Sequence, residues 1–343
     1  MKQVTLNDVA RAAGLTKSAV SLALRHDPRI PAATRERITL CAKKLGYRRN
    51  AVVAHLMSEL RRSADPAPAA TIALLNLNED PDAFTHHPTV PVYVRGIRAR
   101  ASALGYAVDA IARPAVTMDG IRLRQILQAR GIRGCVLTGL MRGNRLPPHL
   151  APLWQRFPCV ITGVRTVAPQ LPFASADHHA VSQLAVAMAL ERGAQRPALV
   201  LDREIDELVQ GRFSAGFLIA QRTAPRTSRV PPFYHSREDA DVPRAFPQWF
   251  ARHRPDTVLT LYHVVEDWLR AMRVRVPQEV SLVQLEHRAH EPSWPGVNQH
   301  NDRTGAAAVD LLVQMIHAGE TALQTAPRAI LIEPSWHAGR RGP

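Results

Sequence analysis

The chain has little cysteine, almost no lysine and no long hydrophobic run. Only Cys41, Cys135 and Cys159 occur in 343 residues, far apart and without the paired spacing of a metal site. They read as free, packed thiols, not as a disulfide framework. No apolar stretch approaches the roughly 20 residues that span a bilayer, and the N-terminus lacks a secretory hydrophobic core. A glycine-rich phosphate loop, a nucleophile elbow and a Cys-pair metal motif are also missing. The adjacent imidazoles His86-His87 and His178-His179 do not share a helix face, as metal ligands at i and i+4 would; loop or surface positions are expected. These absences weigh against an enzyme. No catalytic residue, metal or cofactor is assigned.

The scarce lysines are informative by position. Lys2, Lys17, Lys43 and Lys44 all lie in the first 62 residues, which hold 13 Lys+Arg against 4 Asp+Glu. The remaining 281 residues hold 31 against 25. A general arginine bias would raise the net charge of +15, but it does not explain this asymmetry. A compact basic segment suits a polyanion, because neutralised phosphates release their counterions.

Within that segment, residues 5–24 read TLNDVARAAGLTKSAVSLAL. Leu6, Val9, Ala10 and Ala13, then Val20 and Leu24, recur at helical spacing. Thr5 and Asp8 have capping-box spacing, Gly14 suits the left-handed end of a first helix, and Thr16 suits the cap of a second. The second helix opens Lys17-Ser18-Ala19, small and polar residues at the end that helix-turn-helix proteins direct to base edges. A plain helical hairpin shares the Ala-Gly turn. A third helical pattern runs from about Ala32 to Leu45, with Ile38, Ala42 and Leu45 on one face.

Taken with LGYRRN and the segment AVVAHLM, residues 4–60 resemble the DNA-binding headpiece of the lactose-repressor (LacI/GalR-type) family of bacterial regulators. The matching blocks are VTLNDVARAAGL, VSLAL, TRERI, LGYRRN and AVVAHLM, in order and without an obvious insertion. The resemblance implies an all-α helix-turn-helix headpiece over 1–60, with a hinge helix at about 50–60. A linker over 61–70 (RRSADPAPAA) and an effector-binding, dimerising core over 71–343 follow. Lys17, Ser18 and Leu22 fall at base-reading positions; Thr5, Ser21, Arg25, Thr34 and Asn50 fall at phosphate-contacting ones, where exposure or capping is the rival reading. Leu22 stands where many relatives carry arginine, which suits a thymine methyl; packing in the headpiece core is the other reading. Leu56 falls at the residue that wedges into the minor groove, against the alternative of a connector whose Leu56 packs on the core.

After the linker, strand and helix patterns alternate. Strands are expected at 71–75, 106–111, 134–138, 159–162, 198–201, 258–261 and 280–284. Helices are expected near 92–104, 119–130, 178–192 and 211–221. Alternation implies parallel sheets covered on both faces, here an α/β two-lobed, periplasmic-binding-protein-like core. By resemblance the chain crosses between lobes near Gly163–Val167, Pro292–Val297 and Leu323–Pro327. Lobe one then spans about 71–163 and 297–323, and lobe two about 167–292 and 327–343. The segment after Trp336 is shorter than the coiled-coil extension of tetrameric relatives, so a homodimer is implied.

The effector pocket resembles the family less. Phe213 occupies the usual position of a ligand-gripping arginine, with Arg212 one residue away and turned by about 100°. Tyr262-His263 follows the strand where Asn-Asp is usual. Asp177, Arg212, His263, Glu286 and Gln299 are the candidate cleft residues, each with a structural alternative. The implied partners are a double-stranded DNA operator, a second copy of the chain, and a small-molecule effector such as a sugar or nucleoside, in the cytoplasm at the nucleoid. Control by a protein, or by no effector, stays open. A nonspecific or architectural DNA-binding protein is the rival from another class.

Overall fold

The computed structural model describes residues 6–24, 30–45, 70–236, 241–288 and 294–339. Thr5, Arg25, Asn50, Leu56, the hinge segment and all of the linker except Ala70 lie outside the described residues. The chain forms two compact units, Met1–Ala67 and Pro68–Pro343.

The first unit contains α1 (Leu6–Ala13), α2 (Lys17–Ala23) and α3 (Ala32–Lys44). Gly14, at φ +66°, ends α1, and the Leu15 amide turns back to the Ala10 carbonyl at 3.0 Å. Thr16 caps α2, its Oγ1 accepting from the Ala19 amide at 3.3 Å. Val9, Ala10, Val20, Ala23, Ile38 and Ala42 form the small core, with Leu24 packed on it. Leu45 does not join them. It follows the last residue of α3 and is 38% exposed, unlike the buried Ile38 and Ala42 with which its spacing grouped it. Leu22 is half-buried and is not among the side chains packed on this core.

In the second unit, the elements in chain order begin β1 (Ala70–Asn76), α4 (Val90–Ala103), β2 (Tyr106–Ile111), α5 (Gly120–Ala129), β3 (Ile132–Thr138), β4 (Cys159–Thr162) and β5 (Phe173–Ala176). Next come α6 (His178–Glu191), β6 (Pro197–Asp202), α7 (Arg203–Leu208), α8 (Arg212–Ala220), β7 (Phe233–His235) and α9 (Val242–His253). They are followed by β8 (Thr257–Thr260), α10 (Val264–Ala271), β9 (Ser281–Gln284) and β10 (Gly296–Asn298). Then come α11 (Asn301–Ala318), β11 (Ala329–Ile332) and β12 (Ser335–His337).

Two six-stranded sheets result, ordered β2-β1-β3-β4-β5-β11 and β7-β6-β8-β9-β10-β12. The described pairings are parallel except β10 with β12. Inner strands such as β6 are buried along their whole length, as helices on both faces require. Cys135 and Cys159 sit opposite each other on β3 and β4, both buried as free thiols. Cys41 is a free, half-buried thiol.

The expected crossings are corrected by the sheet pairings. Phe173–Ala176 and Ala329–Ile332 pair with one another in the first sheet. The first crossing therefore falls at Asp177 and the third at 333–334, not at 163–167 and 323–327. The second follows β10, because α11 buries Ala308, Val309 and Leu312 with Ile72, Ile97 and Val160 of lobe one. Helices α4 and α11 cross closely at glycine: a Cβ at Gly96 would lie 1.9 Å from the Asp302 carbonyl oxygen.

Candidate functional site

In each sheet the strand order reverses beside the first strand of its lobe: β1 between β2 and β3, and β6 between β7 and β8. Open α/β sheets place ligands beyond the carboxyl ends of strands at such switch points. Both switch points here open into one cavity of about 830 Å³ between the lobes. Lobe one contributes the segments after β1, β3 and β4, and lobe two those after β6, β8 and β9. The floor is apolar. Leu77, Leu140 and Val164 share a single buried cluster with Leu201, Phe213 and Leu261 from the facing lobe.

Two of the five expected cleft residues line this cavity. Glu286 and Gln299 do; Asp177, Arg212 and His263 do not. Asp177 caps α6, accepting from the His179 and Ala180 amides, and also accepts from Arg212 at 2.5 Å. Burial raises its carboxyl pKa, but the Arg212 bond and the amides outweigh burial and hold it below the usual value. Arg212 is thus committed to a helix cap, while its neighbour Phe213 faces the cleft. The His263 ring packs on Trp294 and its Nε2 meets the Gln284 amide nitrogen at 2.6 Å, leaving Tyr262 as the lining residue.

Glu286 joins the lobes. Its carboxylate accepts from Thr89 Oγ1 at 2.9 Å, from Asn301 at 2.8 Å and from Arg288 at 2.9 Å. Thr89 precedes α4 of lobe one, whereas Glu286 and Arg288 follow β9 of lobe two. Tyr93, fully buried beside this carboxylate, has its phenol pKa pushed well up, first by burial and then by the Glu286 charge. Gln299 lines the cavity but spends its amide on the Leu285 carbonyl at 2.8 Å.

His178 corrects its expected loop or surface position. It opens α6, is 7% exposed, and tilts against Phe213 with ring centroids 4.7 Å apart. Gly216 makes this possible: a Cβ there would lie 2.2 Å from the His179 carbonyl oxygen, so α8 lies hard against the first turn of α6. Burial, then the Arg212 charge, lower the His178 pKa to about 4, against a smaller upward pull from Asp177. At neutral pH the cleft therefore sees an uncharged imidazole. His87 also lines the cavity, while His86 is exposed. Doublet spacing carried no signal for either outcome, because burial is set by α8 and by the loop before α4.

In the first unit, α2 carries Lys17 and Ser18 in its first turn, and Leu22 one turn beyond Ser18. Ser21 lies on the same helix, and Thr34 is half-exposed in the first turn of α3.

Residues 5–50 match the family of bacterial regulatory proteins described as lacI, and residues 186–340 match the periplasmic-binding-protein-like domain. The chain is similar to the lacI family in its N-terminal segment. Among curated proteins, the HTH-type transcriptional regulator MalR of Streptococcus pneumoniae serotype 4 is 26% identical over 198 residues, 57% of this chain and 56% of MalR. The match thus spans little more than half of the relative. In fold, the chain is similar to the transcriptional regulator CelR in its cellobiose complex, with a TM-score of 0.59, 22% identity, and coverage of 99% of this chain and 100% of CelR. It is also similar to the lac repressor dimer bound to operator and the anti-inducer ONPF, with a TM-score of 0.56, 18% identity and 99% coverage of each chain. Among the described residues, no helix is long and apolar enough to cross a membrane.

Proposed function

We propose that the protein is a sequence-specific, DNA-binding transcription regulator that acts in the cytoplasm as a homodimeric repressor and not as an enzyme. The observation that carries this reading is the lacI-family match over residues 5–50, which coincides with the basic segment and the capped helix pair α1–α2. Lys17, Ser18 and Leu22 read base edges from α2; Leu22 is half-buried and is not among the described side chains that form the headpiece core. Ser21, Thr34 and the flanking Thr5, Arg25 and Asn50 contact phosphates and set register. Leu56 wedges into the minor groove at the operator centre. Two-fold symmetry of the dimer requires a near-palindromic operator.

Control comes from the second unit. A small molecule that binds the inter-lobe cleft shifts the balance between two lobe arrangements with different DNA affinity. The cavity volume is that of a small-molecule site. Selection of bound duplexes from a random pool tests the reading. A palindromic consensus is expected, and uniform recovery of sequences would make the protein an architectural binder instead.

A further inference from the structure

We infer that the cleft takes a compound whose main binding element is an aromatic ring set against an apolar wall, in place of a polyol held by many hydrogen bonds. This rests on the proposal that the cleft holds the effector. Lobe two presents Ile205, Leu208, Val209, Phe213, Leu261 and Tyr262 in succession to the cavity. The buried, uncharged imidazole of His178 tilts against Phe213 and extends the ring surface. Opposite them, lobe one presents Val116, Leu140 and Met141. Rings gain from such walls through area burial and through tilted or offset ring contacts.

The polar side chains around the cavity are largely committed to the protein itself. Asp202 caps α7 by accepting from the Glu204 and Ile205 amides. Asn78 donates to the Gly139 carbonyl and accepts from the Asp80 amide. Thr162 is bonded to Thr138, Gln299 to Leu285, and Glu286 to three donors. Arg142 pairs with Glu79 only at the solvent-exposed rim, where the side chains are 84% and 66% exposed, and Arg212 is withdrawn to Asp177. A sugar brings a hydroxyl on most carbons, and each one buried without a partner weakens binding. A ring with one polar group makes no such demand.

The test is a fluorescence titration of the full-length protein, without DNA, with anilinonaphthalene sulfonate as the ring probe. Saturation at one probe per chain is expected, unaffected by excess cellobiose. Val116→Asn and Ile205→Asn, at half-buried positions on facing walls, should each weaken probe binding by about tenfold while leaving the thermal unfolding midpoint near that of the parent. No stoichiometric binding, binding indifferent to both substitutions, or displacement of the probe by cellobiose would overturn the inference. Because DNA is absent, failure here leaves the DNA-binding reading standing. Failure of sequence selection, in turn, leaves a positive titration intact.

Discussion

Arg212 and Asp177 form an ion pair at 2.5 Å that closes the cap of α6, and the cleft-facing position beside Arg212 belongs to Phe213. The pair's energetics follow from its exposure. Arg212 is 39% exposed, so solvent screens the charge and most of the value lies in the capping bonds of Asp177. Asp177→Ala should cost about 1–2 kcal/mol in urea unfolding, whereas Arg212→Ala should cost less than about 1 kcal/mol. Equal costs would mean that the charge, not the cap, is what matters.

His178 gives the core domain an acid-sensitive element. Its folded pKa of about 4 lies below the ordinary 6.5, so below pH 6.5 the unfolded chain binds a proton that the folded chain refuses. The stability contributed by a neutral His178 is complete above pH 6.5 and is lost as pH falls toward about 4, by on the order of 3 kcal/mol. Urea midpoints measured across that window should fall steeply for the parent and less for His178→Gln. Identical slopes would place the acid sensitivity elsewhere.

Gly216 admits no side chain. The Cβ of alanine would meet the His179 carbonyl at 2.2 Å, and backbone cannot yield as a flexible side chain can. Gly216→Ala should lower stability by about 1–3 kcal/mol and loosen the His178–Phe213 contact. Calorimetry reads the first effect, and the His178 titration reads the second as a pKa moving up toward 6.5.

Glu286 neutralises Arg288 in a site where the two side chains are 10% and 15% exposed. Glu286→Ala leaves that guanidinium without its counter-charge and should cost about 3–5 kcal/mol. Thr89→Ala removes one donor and should cost about 1 kcal/mol. Because Thr89 belongs to lobe one, the milder variant should also widen the distribution of lobe separations seen by small-angle scattering.

Leu22→Arg should change which base pair is preferred at one symmetric pair of operator positions, from a thymine methyl toward guanine, by about 1–3 kcal/mol. Random-pool selection with the variant checks this. An unaltered consensus would return Leu22 to a structural role.

The headpiece was legible because its signals are local. Gly14 and Thr16 fix the turn between α1 and α2 within a few residues of each other. The lobe crossings were not, because they depend on Phe173–Ala176 pairing with a strand more than 150 residues later. A four-residue strand such as FASA carries almost no periodicity of its own. In the cleft, the helical offset between Arg212 and Phe213 was readable from the 3.6-residue turn. Burial of His178 was not readable, since it depends on the approach of α8 at Gly216.

The central claim is sequence-specific DNA binding by a symmetric dimer. The most direct measurement is the affinity of the full-length protein for a selected palindrome, beside the same duplex with one half-site scrambled, over a range of salt. Two chains per palindrome are expected, with a loss of roughly a hundredfold or more on scrambling and a steep fall of affinity with salt for both duplexes. Equal affinity for the two duplexes at every salt concentration would contradict it.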